Sequence, residues 1–210
     1  KLQLSSEILV LKEFLNHKKY NKDNIFKIGP KPITLNIFHI NKSQVNSIIN
    51  NNYTVTDKAD GLGKYLYIVG TDHLHSDIKK NKSFYLDNEK LQEYNKYIGK
   101  IYLIDNNLKV YSTNLKISQS KNYGKYCNSL LNGEFIDKDL NNKNIFKYVA
   151  YDIYFRSNND IKKLPFMSRI DNVDTRLNEL INLLKDSSND FTVDTHERSS
   201  LEIKIKDFYL

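Results

Sequence analysis

A lysine, an aspartate and a glycine stand close together in "YTVTDKADGLGKYLYIV", residues 53–69. Lys58 is the group there that can attack an electrophile, provided its amine is unprotonated. That state calls for burial or nearby cations to lower its pKa. The apolar stretches on either side are the expected source of desolvation, and Lys64 is the expected cation. Asp60 is placed to orient the amine or a sugar, and Gly61 lets the backbone turn close to a ligand. Attack on the α-phosphate of a nucleotide would give a phosphoramidate, labile enough to pass the nucleotide on. Taken alone, however, an Asp-Gly pair between apolar runs is also a hairpin signal.

Two further clusters bear on the choice. "SLLNGEFI" places Glu134 at the mouth of a strand, after a glycine, and "YVAYDIYF" sets Tyr151 beside Asp152. The two-residue period of a strand would turn those two to opposite faces. An aromatic ring can stack on a purine. A carboxylate can bind a ribose hydroxyl or, close to phosphates, Mg²⁺. Outside a shared cavity, Tyr151 reads as a core aromatic and Glu134 as a rim residue.

The elements that must position these groups read as follows. Ser5 and Ser6 cap an expected helix over 7–18, with Ile8, Leu11, Phe14 and Leu15 on one face. Pro30 and Pro32 force an extended path. Asn41 and Gln44 resemble a capping box opening a short helix, with Val45, Ile48 and Ile49 inward. Strands are expected at "YTVTDK" and "KYLYIVG", and "KIYLID-NN-LKVYST" reads as a hairpin turned by Asn106-Asn107. "DNEKLQEYNKYIG" reads as a helix. "SLLNGEFI" and "FKYVAYDIYF" are strands, "DNVDTRLNELINLLKD" is an amphipathic helix, and "LEIKIKDFYL" is a final strand. Strands that do not alternate regularly with helices predict an α+β domain built on antiparallel sheet. The expected division is an appendage over 1–24 and one domain over 25–210, cut from a longer polyprotein or multidomain enzyme.

With 210 residues, 40% of them hydrophobic, the chain can bury a core. The formal charge of +7 suggests a polyanionic partner. Against that, only four residues are arginine. The lysines are mixed with Asn, Ile and Tyr, amino acids of A/T-rich codons, so runs such as "NHKKYNK" read as solvated faces. One cysteine, Cys127, excludes an internal disulfide framework. No apolar run is long enough to cross a bilayer as a helix. His73 and His75 in "TDHLHS" lack further ligands nearby, and His196-Glu197-Arg198 reads as a polar loop. There is no P-loop or Rossmann fingerprint.

In order and spacing, "TDKADGLGKYLYI", "LLNGEFI" and "YVAYDIYF" resemble motifs I, III and IIIa of the covalent nucleotidyltransferases, the mRNA capping guanylyltransferases and ATP-dependent polynucleotide ligases. "IGPKPITL" and "LPFMSRIDNVDTRLNELINLL" add a likeness to the capping branch, above all to capping enzymes of large cytoplasmic DNA viruses and related linear plasmids. The resemblance covers about residues 25–210. It implies an ATP-grasp-like nucleotidyltransferase domain, with motifs IV and V and an OB-fold domain expected beyond Leu210. It implies transfer of GMP from GTP, through Lys58, to the 5′-diphosphate end of RNA, with Mg²⁺ or Mn²⁺ as cofactor. Thr56 and Asp57 would line the base pocket. Asp60, Gly61 and Lys64 would contact the nucleotide, Glu134 would bind ribose or the metal, and Tyr151 would stack on guanine. Asp152 is the acidic residue of motif IIIa.

The implied setting is cytoplasmic, in a viral factory or virion, beside triphosphatase and methyltransferase domains and with no membrane. Two positions depart from the pattern. Gly63 stands where many members have arginine, with Lys64 as the expected substitute, and Asn132 stands where motif III usually has aspartate. A ligase adenylation domain and a non-catalytic scaffold remain the alternatives.

Overall fold

The computed structural model of the chain describes residues 34–43, 47–51, 53–70, 98–107, 109–117, 126–170, 188–189 and 201–209. Within them the chain builds one sheet. Its strands are β1 (Leu62–Ile68), β2 (Lys100–Asp105), β3 (Val110–Lys116), β4 (Ser129–Lys138), β5 (Asn144–Arg156), β6 (Asn159–Asp160), β7 (Ser188–Asn189) and β8 (Glu202–Ile205). The order is β6-β5-β4-β1-β2-β3-β7, antiparallel throughout, with β8 joining β5 in parallel. The α+β expectation dominated by antiparallel pairing therefore holds in its coarse form.

Both faces of the centre are apolar, which is why "YLYIV" reads as an unbroken run rather than an alternation. Leu66 and Ile68 pack on one face with Ile101, Leu103, Leu131, Tyr148 and Ile203. Tyr67 and Val69 pack on the other with Tyr102, Ile104, Leu130, Tyr154 and Phe155. Each such Leu or Ile contributes about 1.5–3 kcal/mol relative to exposure, so β1 is anchored from both sides.

Two aspartates turn the neighbouring hairpins by the same device. Asp105 Oδ1 accepts from the backbone N–H of Asn107 and Lys109, and Asp139 Oδ1 accepts from those of Asn141 and Lys143. The β2–β3 connection is thus a longer Asp-capped loop, not the expected two-residue Asn-Asn turn: Ile104 pairs with Val110. An Asx side chain bonding its own backbone competes well with a tight turn here.

Other expectations are corrected. "YTVTDK" is not a strand: its only sheet-like contact among the described residues is the bridge between Val55 and Tyr209. A capping box lies earlier than the expected Asn41/Gln44 one, whose Gln44 lies outside the described residues. Asn36 caps α1 (Ile37–Ile40) with His39 returning the bond, and Asn41 ends it. Ser47 caps a 3-10 turn, Ile48–Asn50, on which Ile49 is exposed. The expected helices over 7–18 and 171–186, most of the one over 87–99, and His73, His75 and His196 to Arg198 lie outside the described residues.

Candidate active site

Lys58 precedes β1 in an extended segment with no partner strand, so the hairpin reading of Asp60-Gly61 fails. The neighbours of β1 are β2 and β4, not the segment before it. What holds that segment is the C-terminal end of the described chain. Val55 and Tyr209 exchange backbone hydrogen bonds at 2.8 Å each way, and the Thr56 hydroxyl donates to the Asp207 carbonyl at 2.6 Å. Thr56 therefore ties the loop to the chain just after β8. Asp57 is exposed. Gly61 is needed for a close approach. A Cβ there would lie 2.9 Å from the Phe135 carbonyl and 3.0 Å from Glu134 Cβ, so only glycine lets the loop close over β4.

The expected desolvation of Lys58 is not found. Its ammonium pairs with Asp60 at 2.5 Å, and the two side chains are 85% and 88% exposed. The hydrogen bond and charge of Asp60 raise the pKa of Lys58, with a smaller upward push from Glu134, while Lys58 lowers that of Asp60. The physical reason is the missing strand partner, which leaves nothing apolar over the amine. Lys64 does not supply the expected neighbouring cation either. It pairs with Gly133 while Gly63 pairs with Glu134, so by strand alternation Lys64 and Glu134 occupy opposite faces. Lys64 is buried, its ammonium 3.5 Å from the Tyr111 ring centroid and 5.2 Å from that of Phe135. It therefore does not stand in for the arginine replaced by Gly63.

On the Glu134 face several expected residues meet. Glu134 is near enough to Lys58 and to Tyr151 for its charge to be felt at both. Its Oε2 is buried without a hydrogen-bond partner among the described residues, a costly state that a ligand donor would relieve. Burial, then the charge of Glu134, raises the Tyr151 hydroxyl pKa. Glu134 is placed by Gly133: a Cβ there would lie 2.5 Å from the Val149 carbonyl and 2.6 Å from Tyr148 Cζ. Tyr148, fully buried, fills that space and donates to the Lys64 and Leu131 carbonyls, stapling β5 across β4 to β1.

Tyr151 is aimed by an irregularity that the sequence did not betray. The β4–β5 register slips between Asn132↔Asp152 and Gly133↔Ala150, leaving Tyr151 as an extra residue; a second slip leaves Tyr154 extra. Bulges re-aim side chains, so the simple alternation expected of Tyr151 and Asp152 does not hold. Asp152 is not a free carboxylate. Both its oxygens bind Arg169 of α2 (Phe166–Ile170), each at 2.8 Å, and one also takes the Ile153 N–H. That buried pair fixes α2 against β5 and leaves Asp152 a structural part. The expected contribution of Asp152 to nucleotide binding has no free oxygen behind it.

Two groups, Lys206 and Tyr65, were not singled out from the sequence. Lys206, just past β8, donates its backbone N–H to Ala150 and holds its ammonium 5.8 Å from the Tyr151 ring centroid. Tyr65 lies opposite Asn132 and 6.3 Å from the Tyr154 ring. Asn132 Nδ2 donates to the Tyr154 hydroxyl at 2.8 Å. The alternation of "GKYLY" could have placed Tyr65 with Gly63; nothing local pointed to Lys206, which comes to the site by a parallel pairing.

Among the described residues no group of three His, Cys, Asp or Glu side chains is gathered to hold a metal. Mg²⁺ commonly needs only one or two carboxylates together with substrate phosphates and water, and the Glu134 carboxylate, whose Oε2 has no partner among the described residues, fits that use.

Comparison with curated proteins gives no match. The sequence model of the family described as mRNA capping enzyme, catalytic domain, matches residues 90–210, which include Glu134, Tyr151, Asp152 and Lys206 and exclude Lys58. Over more than half its length, then, the chain belongs to the mRNA capping enzyme catalytic-domain family.

Proposed function

We propose that the protein is an mRNA guanylyltransferase, of the kind found in large cytoplasmic DNA viruses, that takes GMP from GTP onto Lys58 and passes it to 5′-diphosphate RNA. One observation carries the reading: a buried oxygen of Glu134, without a hydrogen-bond partner among the described residues, belongs to a carboxylate within electrostatic reach of both Tyr151 and Lys58. A nucleotide fits that set. Its purine stacks on Tyr151, and the Lys206 ammonium near that ring donates to a purine acceptor, of which guanine has two on one edge. Its sugar reaches Glu134.

The Lys58 nitrogen then forms a bond to the α-phosphorus as the bond from that phosphorus to the pyrophosphate oxygen breaks. Lys58 attacks only as the free amine, so its pair with Asp60 opens first and its proton leaves. A divalent ion held by Glu134 and the triphosphate would offset the charge on the departing pyrophosphate. In the second step a terminal phosphate oxygen of the RNA displaces Lys58.

The test is covalent labelling of the full-length protein with α-labelled GTP or ATP in Mg²⁺. The expected result is label from GTP that survives denaturation in neutral or alkaline solution and is lost in acid, as a phosphoramidate is. Label from ATP alone replaces this reading with a ligase-type adenylation. No label from either leaves a scaffold.

A further inference from the structure

Phe166 and Phe208 carry no reactive group, yet both stand in a line of contacts that joins the two sides of the site. The line starts beside Tyr151, the extra residue of the β5 bulge, whose neighbour Asp152 is held at both oxygens by Arg169 at 2.8 Å. The Arg169 guanidinium lies 5.6 Å from the ring centroid of Phe166, three residues earlier on α2. Phe166 meets Phe208 edge to face, with ring centroids 5.0 Å apart, and both rings pack against the core. On either side of Phe208 the backbone is engaged with the lysine segment. The Asp207 carbonyl accepts from the Thr56 hydroxyl at 2.6 Å, and Tyr209 exchanges two hydrogen bonds with Val55. Lys58 follows Thr56 by two residues.

Residues 207–209 cannot owe their place to the sheet. The β5–β8 ladder ends at the pair Ala150↔Ile205, and the Lys206 N–H gives one further bond to the Ala150 carbonyl. Past that point Phe208 is the side chain that returns the chain to the core, against a helix that Arg169 also ties to the Lys162 and Leu164 carbonyls. A buried, multiply bonded arginine makes α2 a firm base for it. A backbone tie two residues from a nucleophile sets where its Cα stands and leaves its side chain free to reach. The 85% exposure of the Lys58 side chain agrees with that arrangement.

We propose that Phe208 and Thr56 are positioning residues for the nucleophile: α2 pins Phe208 through Phe166, and the backbone flanking Phe208 holds the lysine segment in register with Tyr151. This rests on the guanylyltransferase reading, in which the base stacks on Tyr151 and Lys58 attacks the α-phosphorus. The loop that bears the nucleophile is then aimed from the far end of the described chain and not by the strand it leads into.

The experiment is single-turnover labelling of the full-length protein over a range of α-labelled GTP concentrations, which separates the limiting rate from the half-saturating concentration. Thr56→Val removes the donor and keeps the branched shape, and Phe208→Ala removes the ring. Each is expected to slow the limiting rate by about ten- to a hundredfold, the cost of a reacting group about an ångström out of place. The half-saturating GTP concentration should stay within about threefold, because binding is left to other groups. Thr56→Ser retains the hydroxyl and should restore the rate. The double variant should be no slower than the slower single one, since both break the same tie. Limiting rates that neither substitution lowers overturn the proposal. So do a rise in half-saturating GTP that matches the loss of rate, losses that add in the double variant, and a Thr56→Ser no faster than Thr56→Val. Thr56→Val and its serine rescue decide the matter if Phe208→Ala fails to fold. Absence of label in the unmodified protein removes the guanylyltransferase reading and this one with it, whereas label that forms in the variants at unaltered rates removes only this one.

Discussion

Lys58 and Lys64 lie on one short stretch of chain and live in opposite environments. Lys58 stands in solvent, paired with Asp60, its pKa raised by that hydrogen bond and charge. Lys64 is 8% exposed, sits against Tyr111 and Phe135, and has its pKa lowered chiefly by burial. A search for a reactive amine by desolvation alone would choose Lys64. The sheet argues otherwise. Lys64 faces away from Glu134 because it pairs with Gly133, whereas Lys58 is on the strandless approach whose Gly61 passes so near β4 that an added Cβ would lie 3.0 Å from Glu134 Cβ. On the proposed guanylyltransferase reading, position relative to Glu134 outranks a convenient pKa, and the activation of Lys58 arrives with the nucleotide.

The sharpest way to break this comparison is to remove each amine in turn. Lys58→Ala should abolish covalent labelling by GTP, a loss on the order of a thousandfold or more, as when a nucleophile is deleted. Lys64→Met keeps the apolar stem against Tyr111 and should leave labelling within about threefold, with a near-unchanged melting temperature. The reverse pattern, with labelling lost in Lys64→Met and kept in Lys58→Ala, would move the chemistry to the other face of the sheet.

Two glycines test the same division through stability. A Cβ at Gly133 would strike the Val149 carbonyl and the Tyr148 ring, whereas one at Gly63 would meet only Asn106 Nδ2 at 3.9 Å. Gly133→Ala should cost about 1–3 kcal/mol in urea unfolding, the usual scale of overpacking. It should also disturb labelling, because Glu134 is the next residue. Gly63→Ala should fall within about 0.5 kcal/mol of the unmodified protein. If Gly133→Ala proves neutral, Tyr148 is not the wedge that sets β4 beneath the lysine loop.

The parts of this division that the sequence carried were the ones with strong local signals. The strands of "YLYIV", "SLLNGEFI" and "FKYVAYDIYF" stand where their apolar runs placed them, because burial on both faces needs no partner to be recognised. The grouping of Glu134 with Tyr151 was also legible, through a motif order. The slips at Tyr151 and Tyr154 were not: a bulge leaves the residue pattern looking like ordinary alternation, so the freedom of Asp152 was overestimated. Nor was the fate of Lys58, since "YTVT" alternates like a strand but, among the described residues, forms no more sheet than the bridge from Val55 to Tyr209. "LEIKIK" announced a strand without naming its neighbour, and the parallel pairing with β5 is what carries Lys206 to Tyr151. Periodicity reports which side chains want cover; it does not report which edge supplies it.

The smallest expected effect concerns the ion pair itself. Asp60 raises the pKa of Lys58, so at a pH below that pKa the free amine is a minor species and its share grows as pH rises. Asp60→Asn removes the charge and keeps a hydrogen-bonding side chain of similar shape. The Lys58 pKa should fall, the free amine should become more abundant at each pH below it, and the rising limb of labelling rate against pH should move to lower pH. Because both side chains are exposed, the gain at a fixed pH near neutrality should be no more than about a few-fold, the scale of a surface pair. Lys64 faces no such carboxylate contact on its Nζ among the described residues, and the shift should therefore be absent when Lys64→Met is profiled in the same way. A limb that moves to higher pH in Asp60→Asn would mean that Asp60 helps remove the proton during attack and does not merely hold it beforehand.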